Sequence, residues 1–281
     1  PAIIAYTGGT TGKAKGVLLS NRAANVIAFQ YKYADKVLDF QKGERFLDII
    51  PPFLAYGLFF GVHMALCTCL EDVLCPDPAP ERLPKLFMKY KPNHLSGGPL
   101  HMEAMTKDKR IQRMNLSFAK TVAYGGDGMN QEWEDAMSEF LKSHQASYGL
   151  MKGYGMTEMA GPVCTSNHKF SVMLPFFCNN IKILDIDTGK ELGYDQEGEI
   201  CVSGPSMMME YYKNPEATAE VIDKNGFLHS GDLGIKDENG NYRITGRIKD
   251  MIIRGGENIY PREIEEFLYQ MPGIKDVQVA G

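Results

Sequence analysis

Tyr6-Thr7-Gly8-Gly9-Thr10-Thr11-Gly12-Lys13-Ala14-Lys15-Gly16 follows the short apolar run at residues 2–5, and its reading governs everything downstream. Four glycines, three threonines and two lysines in eleven residues make a phosphate-binding composition. Glycine lets backbone N–H groups approach an oxyanion, hydroxyls donate to it, and lysine neutralises it. A Walker loop, G-x-x-x-x-G-K-[ST], is excluded by register. With Gly12-Lys13 as its Gly-Lys pair, Thr7 stands where the first glycine belongs and Ala14 where the hydroxyl belongs.

Further motifs follow in order. Gly125-Gly126-Asp127-Gly128 closes an apolar run, and Tyr154-Gly155-Met156-Thr157-Glu158 comes next. Glu158 is a carboxylate, the hard oxygen donor type that divalent cations such as Mg²⁺ prefer. Gly231-Asp232-Leu233-Gly234 precedes Thr245-Gly246-Arg247-Ile248-Lys249-Asp250. A carboxylate such as Asp232 can accept both hydrogen bonds of a vicinal diol. Arg254-Gly255-Gly256-Glu257-Asn258 then leads into Pro261 and an acidic helix start. Taken singly, a Gly-Asp pair is as well explained by a turn, and Glu158 by a salt bridge or cap.

In this order the motifs resemble those of the adenylate-forming (AMP-binding) superfamily: acyl-CoA synthetases, aryl-CoA ligases, luciferases and adenylation domains. Gly8 stands where that family usually has Ser, a variant associated with fatty acid–CoA ligases, and Ala14 where Pro is common. The resemblance implies Lys15, Thr157 and Glu158 as catalytic residues, with Glu158 as the metal ligand. It implies ATP contacts from Thr7, Gly8, Gly9, Thr10, Thr11, Gly12 and Lys15, from Gly125, Gly126, Asp127 and Gly128, and from Tyr154, Gly155, Met156 and Thr157. Asp232 and Arg247 would hold the ribose. Lys249 falls at a hinge position, and Arg254, Gly255 and Gly256 form a loop that would face coenzyme A. The implied cofactors are ATP, Mg²⁺ and coenzyme A. The implied reaction activates a carboxylic acid to acyl-AMP and transfers the acyl group to CoA. Transfer to a carrier-protein thiol, or a nucleotide-binding module without catalysis, are the alternatives.

The acyl site is less legible. Relatives often have His in a Pro-x-Phe-His element, where this chain has Leu54. Leu54 and Tyr56, with Phe59 and Phe60, could wall an apolar pocket, and a fatty or other apolar acid is the preferred substrate. Relatives also have a long region before the phosphate loop and extend past the equivalent of Gly281, where their adenylation lysine lies. No residue here can be assigned that lysine's role, so a central fragment, poorly active alone, is expected.

Composition agrees. A 44% hydrophobic and 23% charged chain of 281 residues is that of a soluble globular protein. A net charge of −5 gives no basic surface for nucleic acid. Six cysteines without a Cys-x-x-Cys pair, and six histidines without a metal-ligand spacing, indicate free thiols in a reducing cytoplasm. Residues 53–70 lack any Asp, Glu, Lys or Arg. They are slightly short for a membrane span and read better as a buried helix, so no transmembrane segment is expected. The expected partners are the small-molecule acid, ATP and CoA, with homodimerisation left open.

Strands alternating with helices up to residue 178 predict an α/β fold, a parallel helix-covered sheet that binds nucleotide at its strand ends. Residues 2–5 read as a buried strand and 18–30 as a helix. Residues 179–248 read as an antiparallel, barrel-like subdomain, with separate strands at residues 227–228 and 233–236. Residues 249–281 read as the start of a small, mobile α+β C-terminal domain, truncated here.

Overall fold

The computed structural model describes residues 1–7, 14–32, 38, 40–75, 79–126, 128–129, 131–167, 170–254, 257–269, 271, 273–274 and 277–280. The chain divides into two compact units. The first comprises Pro1–Asn179 and Gly204–Thr218, the second Asn180–Ser203 and Ala219–Gly281.

The first unit contains five parallel strands, in spatial order Glu71–Leu74, Arg45–Asp48, His94–Gly97, Thr121–Gly125 and Leu150–Met156. Antiparallel Gly161–Asn167 and Phe170–Pro175 continue beyond the last of them. Parallel neighbours need crossover connections, and helices Leu83–Tyr90, Pro99–Lys107 and Gln131–Ser143 supply them. Phe87, Met102, Met105, Met137 and Leu141 of these helices pack on Leu47, Leu95 and Val122 of the strands. The α/β class and the parallel, helix-covered sheet agree with the sequence expectation. Pro99–Lys107 has no counterpart in that expectation, although a proline in its first turn is a usual helix-start signal.

The N-terminal region corrects the sequence reading. Ile3–Tyr6 is not a buried parallel strand, since it pairs antiparallel with Gly16–Leu19 and buries only Ala5. The short strand Glu210–Tyr211 pairs antiparallel with Gly16–Leu19 as well. The helix begins only at Asn21, because the Ser20 hydroxyl accepts the Ala23 N–H at 3.0 Å and caps it.

Residues 53–70 do contain a helix, but one of unusual form: a π-helix over Gly57–Met64 running into Ala65–Cys67. A Cβ on Gly57 would strike the carbonyl oxygens of Ile50 and Pro51, and one on Gly61 would strike the Asp48 carboxylate. The two glycines therefore serve close packing on the end of strand Arg45–Asp48 rather than a membrane interface. Among the described residues, no helix is long and apolar enough to cross a membrane.

This packing leaves Asp48 only 2% exposed. One carboxylate oxygen accepts the Ile50 N–H at 3.2 Å, and the other has no hydrogen-bond partner among the described residues. Burial, with the Asp72 carboxylate adding repulsion, raises its pKa from 3.8 to about 7. Burial likewise raises Asp72 to about 6.

The second unit is antiparallel throughout. Asn180–Leu184, Gly198–Ser203, Leu228–Lys236 and Tyr242–Arg247 pair in that order. Leu228–Lys236 is one continuous strand where the sequence suggested two strands and a turn. Gly231, at φ +72°, absorbs the irregularity inside it. The hairpin Ile252–Arg254 and Glu257–Ile259 and the helix Pro261–Tyr269 follow.

A carboxylate whose folded pKa lies above its unfolded one stabilises the fold while protonated, and that contribution is lost as pH rises from about 4 to about 7. Asp48→Asn should therefore raise the unfolding free energy by about 2–4 kcal/mol near pH 8 and by little near pH 4. Urea denaturation at the two pH values checks this, and an equal effect at both would overturn it.

Candidate functional site

In the first unit the described ends of the glycine-rich loop, Thr7 and Lys15, close on each other as a neck. The Thr7 N–H donates to the Lys15 carbonyl at 3.0 Å, and the Thr7 hydroxyl accepts the Lys15 N–H at 3.2 Å. Gly8, Gly9, Thr10, Thr11 and Gly12 lie outside the described residues, as do Asp127, Gly255 and Gly256.

Lys15 emerges from this neck with its ammonium 4.2 Å from the centre of the Tyr211 ring. The Tyr211 hydroxyl donates to Glu158 Oε1 at 2.6 Å. One side chain thus connects the lysine and the carboxylate that the sequence assigned to the phosphates and the metal. Tyr211 is only 4% exposed, and burial together with the Glu158 charge pushes its phenol pKa well up. The phenol therefore stays protonated, as a donor to the carboxylate.

The returning segment Gly204–Thr218 fixes this arrangement. Its Met208 N–H donates to the Glu158 carbonyl at 2.7 Å, and its Met209 and Tyr212 N–H groups donate to Leu18 and Gly16 at 2.8 and 2.7 Å. Tyr211 escaped the sequence reading because it lies 53 residues from Glu158 and belongs to no local motif. Its one signal is the aromatic pair Tyr211-Tyr212 ahead of the helix Pro215–Val221.

Thr157 and Glu158 sit on a single 3₁₀ turn, Thr157–Met159, at the end of strand Leu150–Met156. Ala160 terminates the turn in the left-handed region, at φ +58°. Tyr154, Gly155 and Met156 are the last residues of the strand, whose pairing shifts register between Tyr154 and Gly155. On the neighbouring strand Gly125 ends the regular segment, and Gly126 turns out at φ +84°. Glu134 braces the two strands: its carboxylate accepts from the Tyr124 hydroxyl and pairs with the Lys152 ammonium at 2.9 Å.

Of the acyl-wall residues, Leu54 is 41% exposed. Tyr56 is half-buried, with its hydroxyl hydrogen-bonded with the Ser96 hydroxyl and its ring stacked on Phe60 at 5.5 Å. A Cβ on Gly125 would lie 3.5 Å from the Tyr56 oxygen, so this ring borders the glycine turn.

In the second unit Asp232 and Arg247 are direct cross-strand partners, joined by an ion pair of 3.2 Å. The Asp232 N–H donates to the Ser230 hydroxyl at 3.0 Å. The Gly231 N–H donates to Glu199 Oε1 at 2.9 Å. Lys249 lies in the 3₁₀ turn Ile248–Asp250 directly after the strand, and Arg254 is exposed at the end of the next one.

Comparison with known proteins follows this geometry. The model of the AMP-binding enzyme family matches residues 1–212. A long-chain-fatty-acid–CoA ligase of Bacillus subtilis (strain 168) is 34% identical over 287 residues, covering 100% of this chain and 50% of that protein. A probable 4-coumarate–CoA ligase 1 of Dictyostelium discoideum is 33% identical, covering 100% and 51%. Among solved structures, ATP-bound MatB from Rhodopseudomonas palustris superposes with a TM-score of 0.86 at 26% identity, over 98% of this chain and 53% of that one. The chain spans about half the length of the curated relatives it matches.

Two truncations separate the roles of Tyr211. Tyr211→Phe should lower the unfolding free energy by about 1–2 kcal/mol through the lost hydrogen bond to a charged group. Tyr211→Leu should lower it by about 0.5–1 kcal/mol more, through the lost ring beneath Lys15. Urea denaturation of both variants checks this, and equal losses would remove the ring–lysine contribution.

Proposed function

This chain belongs to the AMP-binding enzyme family, and we propose that the full-length protein is an AMP-forming acid–thiol ligase that converts a carboxylic acid to its CoA thioester. A carboxylate oxygen attacks the α-phosphorus of ATP and the bond to the β-phosphate breaks. Pyrophosphate leaves and acyl-AMP forms. The CoA thiolate then attacks the acyl carbon, the bond to AMP breaks, and AMP departs. The observation that carries this reading is the connection of Lys15 to Glu158 through Tyr211. A cation and a carboxylate joined in this way beside the Thr7–Lys15 neck suit a polyphosphate with its counter-cation, which supports the reading.

Glu158 suits Mg²⁺ by donor type: Tyr211 takes Oε1, and a carboxylate is the hard oxygen ligand that ion prefers. Bound there, Mg²⁺ would neutralise charge on the polyphosphate. Lys15 would add a second positive charge next to the leaving pyrophosphate, and a cation already in place costs no reorganisation when charge develops. Thr157 would donate to the α-phosphate. Asp232, oriented by Arg247 and Ser230, would accept from the ribose hydroxyls.

A fatty or other apolar acid is the preferred substrate. The names of relatives such as the Bacillus subtilis long-chain ligase support it, as does the Tyr56 ring beside the glycine turn, whereas Phe59 and Phe60 are buried in the core. The 4-coumarate ligases among the relatives make aryl acids the natural comparison. After adenylation, the segment beyond Lys249 would turn about that residue and bring the Arg254 loop to the thiol. The cysteines, all free thiols, support a reducing, cytoplasmic setting.

Pyrophosphate exchange into ATP, assayed on the full-length gene product across fatty, aryl and amino acids, tests the reading. Exchange should depend on an acid and peak with apolar ones. Binding of Mg·ATP with no exchange for any acid would favour a non-catalytic nucleotide-binding module. Glu158→Gln should lower the exchange rate at least about tenfold. Asp232→Ala should weaken ATP binding about tenfold or more, and unchanged affinity would remove the ribose assignment. Lys249→Pro should spare exchange and abolish thioester formation, whereas equal loss of both would refute the hinge.

A further inference from the structure

Glu199, Cys201 and His229 converge on one face of the second unit, and the sequence gives no hint that they do. The reason is geometric. Residues 199 and 201 of one strand point to the same face by the two-residue period of β-structure, and Cys201 stands directly opposite His229 in the antiparallel register. Between Glu199 and Cys201 the register shifts by two residues, as at a bulge, because Glu199 faces Leu233 whereas Cys201 faces His229. The Cys201 sulfur lies 3.4 Å from His229 Nδ1, and Glu199 Oε2 lies 2.7 Å from the same nitrogen. The three ligand atoms all lie within 4.8 Å of one another.

We infer that Glu199, Cys201 and His229 form a binding site for a thiophilic transition-metal ion of the Zn²⁺ class, distinct from the Mg²⁺ position proposed at Glu158. The donor set is one thiolate, one imidazole and one carboxylate, the mixture that suits zinc and excludes the all-oxygen ions Mg²⁺ and Ca²⁺. Tetrahedral bonds of about 2.0–2.3 Å set neighbouring ligand atoms roughly 3.3–3.6 Å apart. The sulfur–nitrogen separation already meets that spacing. The nitrogen–oxygen pair is at hydrogen-bond distance and opens by roughly 0.6 Å when the ion replaces the shared proton.

Glu199 is preorganised for the role. Its Oε1 is held by the Gly231 N–H at 2.9 Å, which leaves Oε2 as the atom directed at His229. That is the outer hydrogen bond that orients a ligating carboxylate in metal sites. Cys201 is fully buried, whereas His229 and Glu199 are partly exposed, so an ion enters past those two and a water can complete its coordination. The cation displaces the Cys201 thiol proton on binding, and the neighbouring carboxylates Glu199 and Asp223 attract it. Asp223 is itself engaged with the Asn225 and Phe227 N–H groups at 2.8 Å each, and contributes field rather than a ligand.

The test uses Co²⁺ as a spectroscopic probe on the reduced, metal-free chain, and no activity measurement enters it. Co²⁺ should bind at one equivalent and produce a thiolate-to-cobalt charge-transfer band that Zn²⁺ abolishes and excess Mg²⁺ does not. Cys201→Ser should remove the band. Glu199→Gln and His229→Gln, both at partly exposed positions, should each weaken Co²⁺ binding at least about tenfold while circular dichroism stays unchanged. Absence of the band, its displacement by Mg²⁺, or its persistence in Cys201→Ser would overturn the site. Persistence would point instead to the half-buried His63 and exposed Cys67, whose ring nitrogen and sulfur lie 3.7 Å apart.

Discussion

The hydrogen bond from the Tyr211 hydroxyl to Glu158 holds together the side chains proposed as the first unit's functional groups. Glu158 sits at the end of a parallel strand, whereas Lys15 belongs to a small antiparallel sheet that is not hydrogen-bonded to it. Neither element orients the other. The Gly204–Thr218 segment does so, by pairing with Gly16–Leu19 through Glu210–Tyr211 and by donating the Met208 N–H to the Glu158 turn. A half-exposed lysine and a half-exposed glutamate would otherwise sample many rotamers, and ordering such a side chain costs up to about 2 kcal/mol. A buried aromatic with two torsions is a low-entropy brace for both.

What the sequence shows and what it hides divide along the range of the interactions. Gly126 is legible because a positive φ restricts the residue type at its own position. Asp232 and Arg247 are legible as chemical types, but the register that makes them direct cross-strand partners is not. The α/β pattern of the first 178 residues is legible because helical and strand periodicities alternate. Tyr211 is hidden, since its partner lies 53 residues away. The strand Gly16–Leu19 is hidden for another reason: its apolar residues run into those of the following helix, and only the Ser20 cap divides them. Reading that cap would have set the boundary correctly. The continuity of Leu228–Lys236 is hidden because Ser-Gly-Asp has a turn's composition, whereas here a glycine at φ +72° stays within a strand.

The π-helix illustrates a constraint that composition conceals. Residues 53–70 look as though they avoid charge altogether, yet they pack against a buried carboxylate. Gly57 and Gly61 let the helix backbone approach the strand end so closely that Asp48 loses its water, and its proton affinity rises accordingly. Leu66 at 65% and Phe53 at 77% exposed show that this apolar run is not enclosed on every side.

The interruption of the first unit by Asn180–Ser203 has a consequence for biosynthesis. A ribosome delivers Glu158, then two strands that belong elsewhere, and only then Tyr211. The nascent first unit therefore cannot close its edge at Gly16–Leu19 until translation has passed Thr218. Until then that edge presents unpaired backbone groups, the kind of surface that recruits a chaperone or a neighbouring nascent chain. Codon usage between residues 180 and 218 is thus a place where elongation rate would bear on yield.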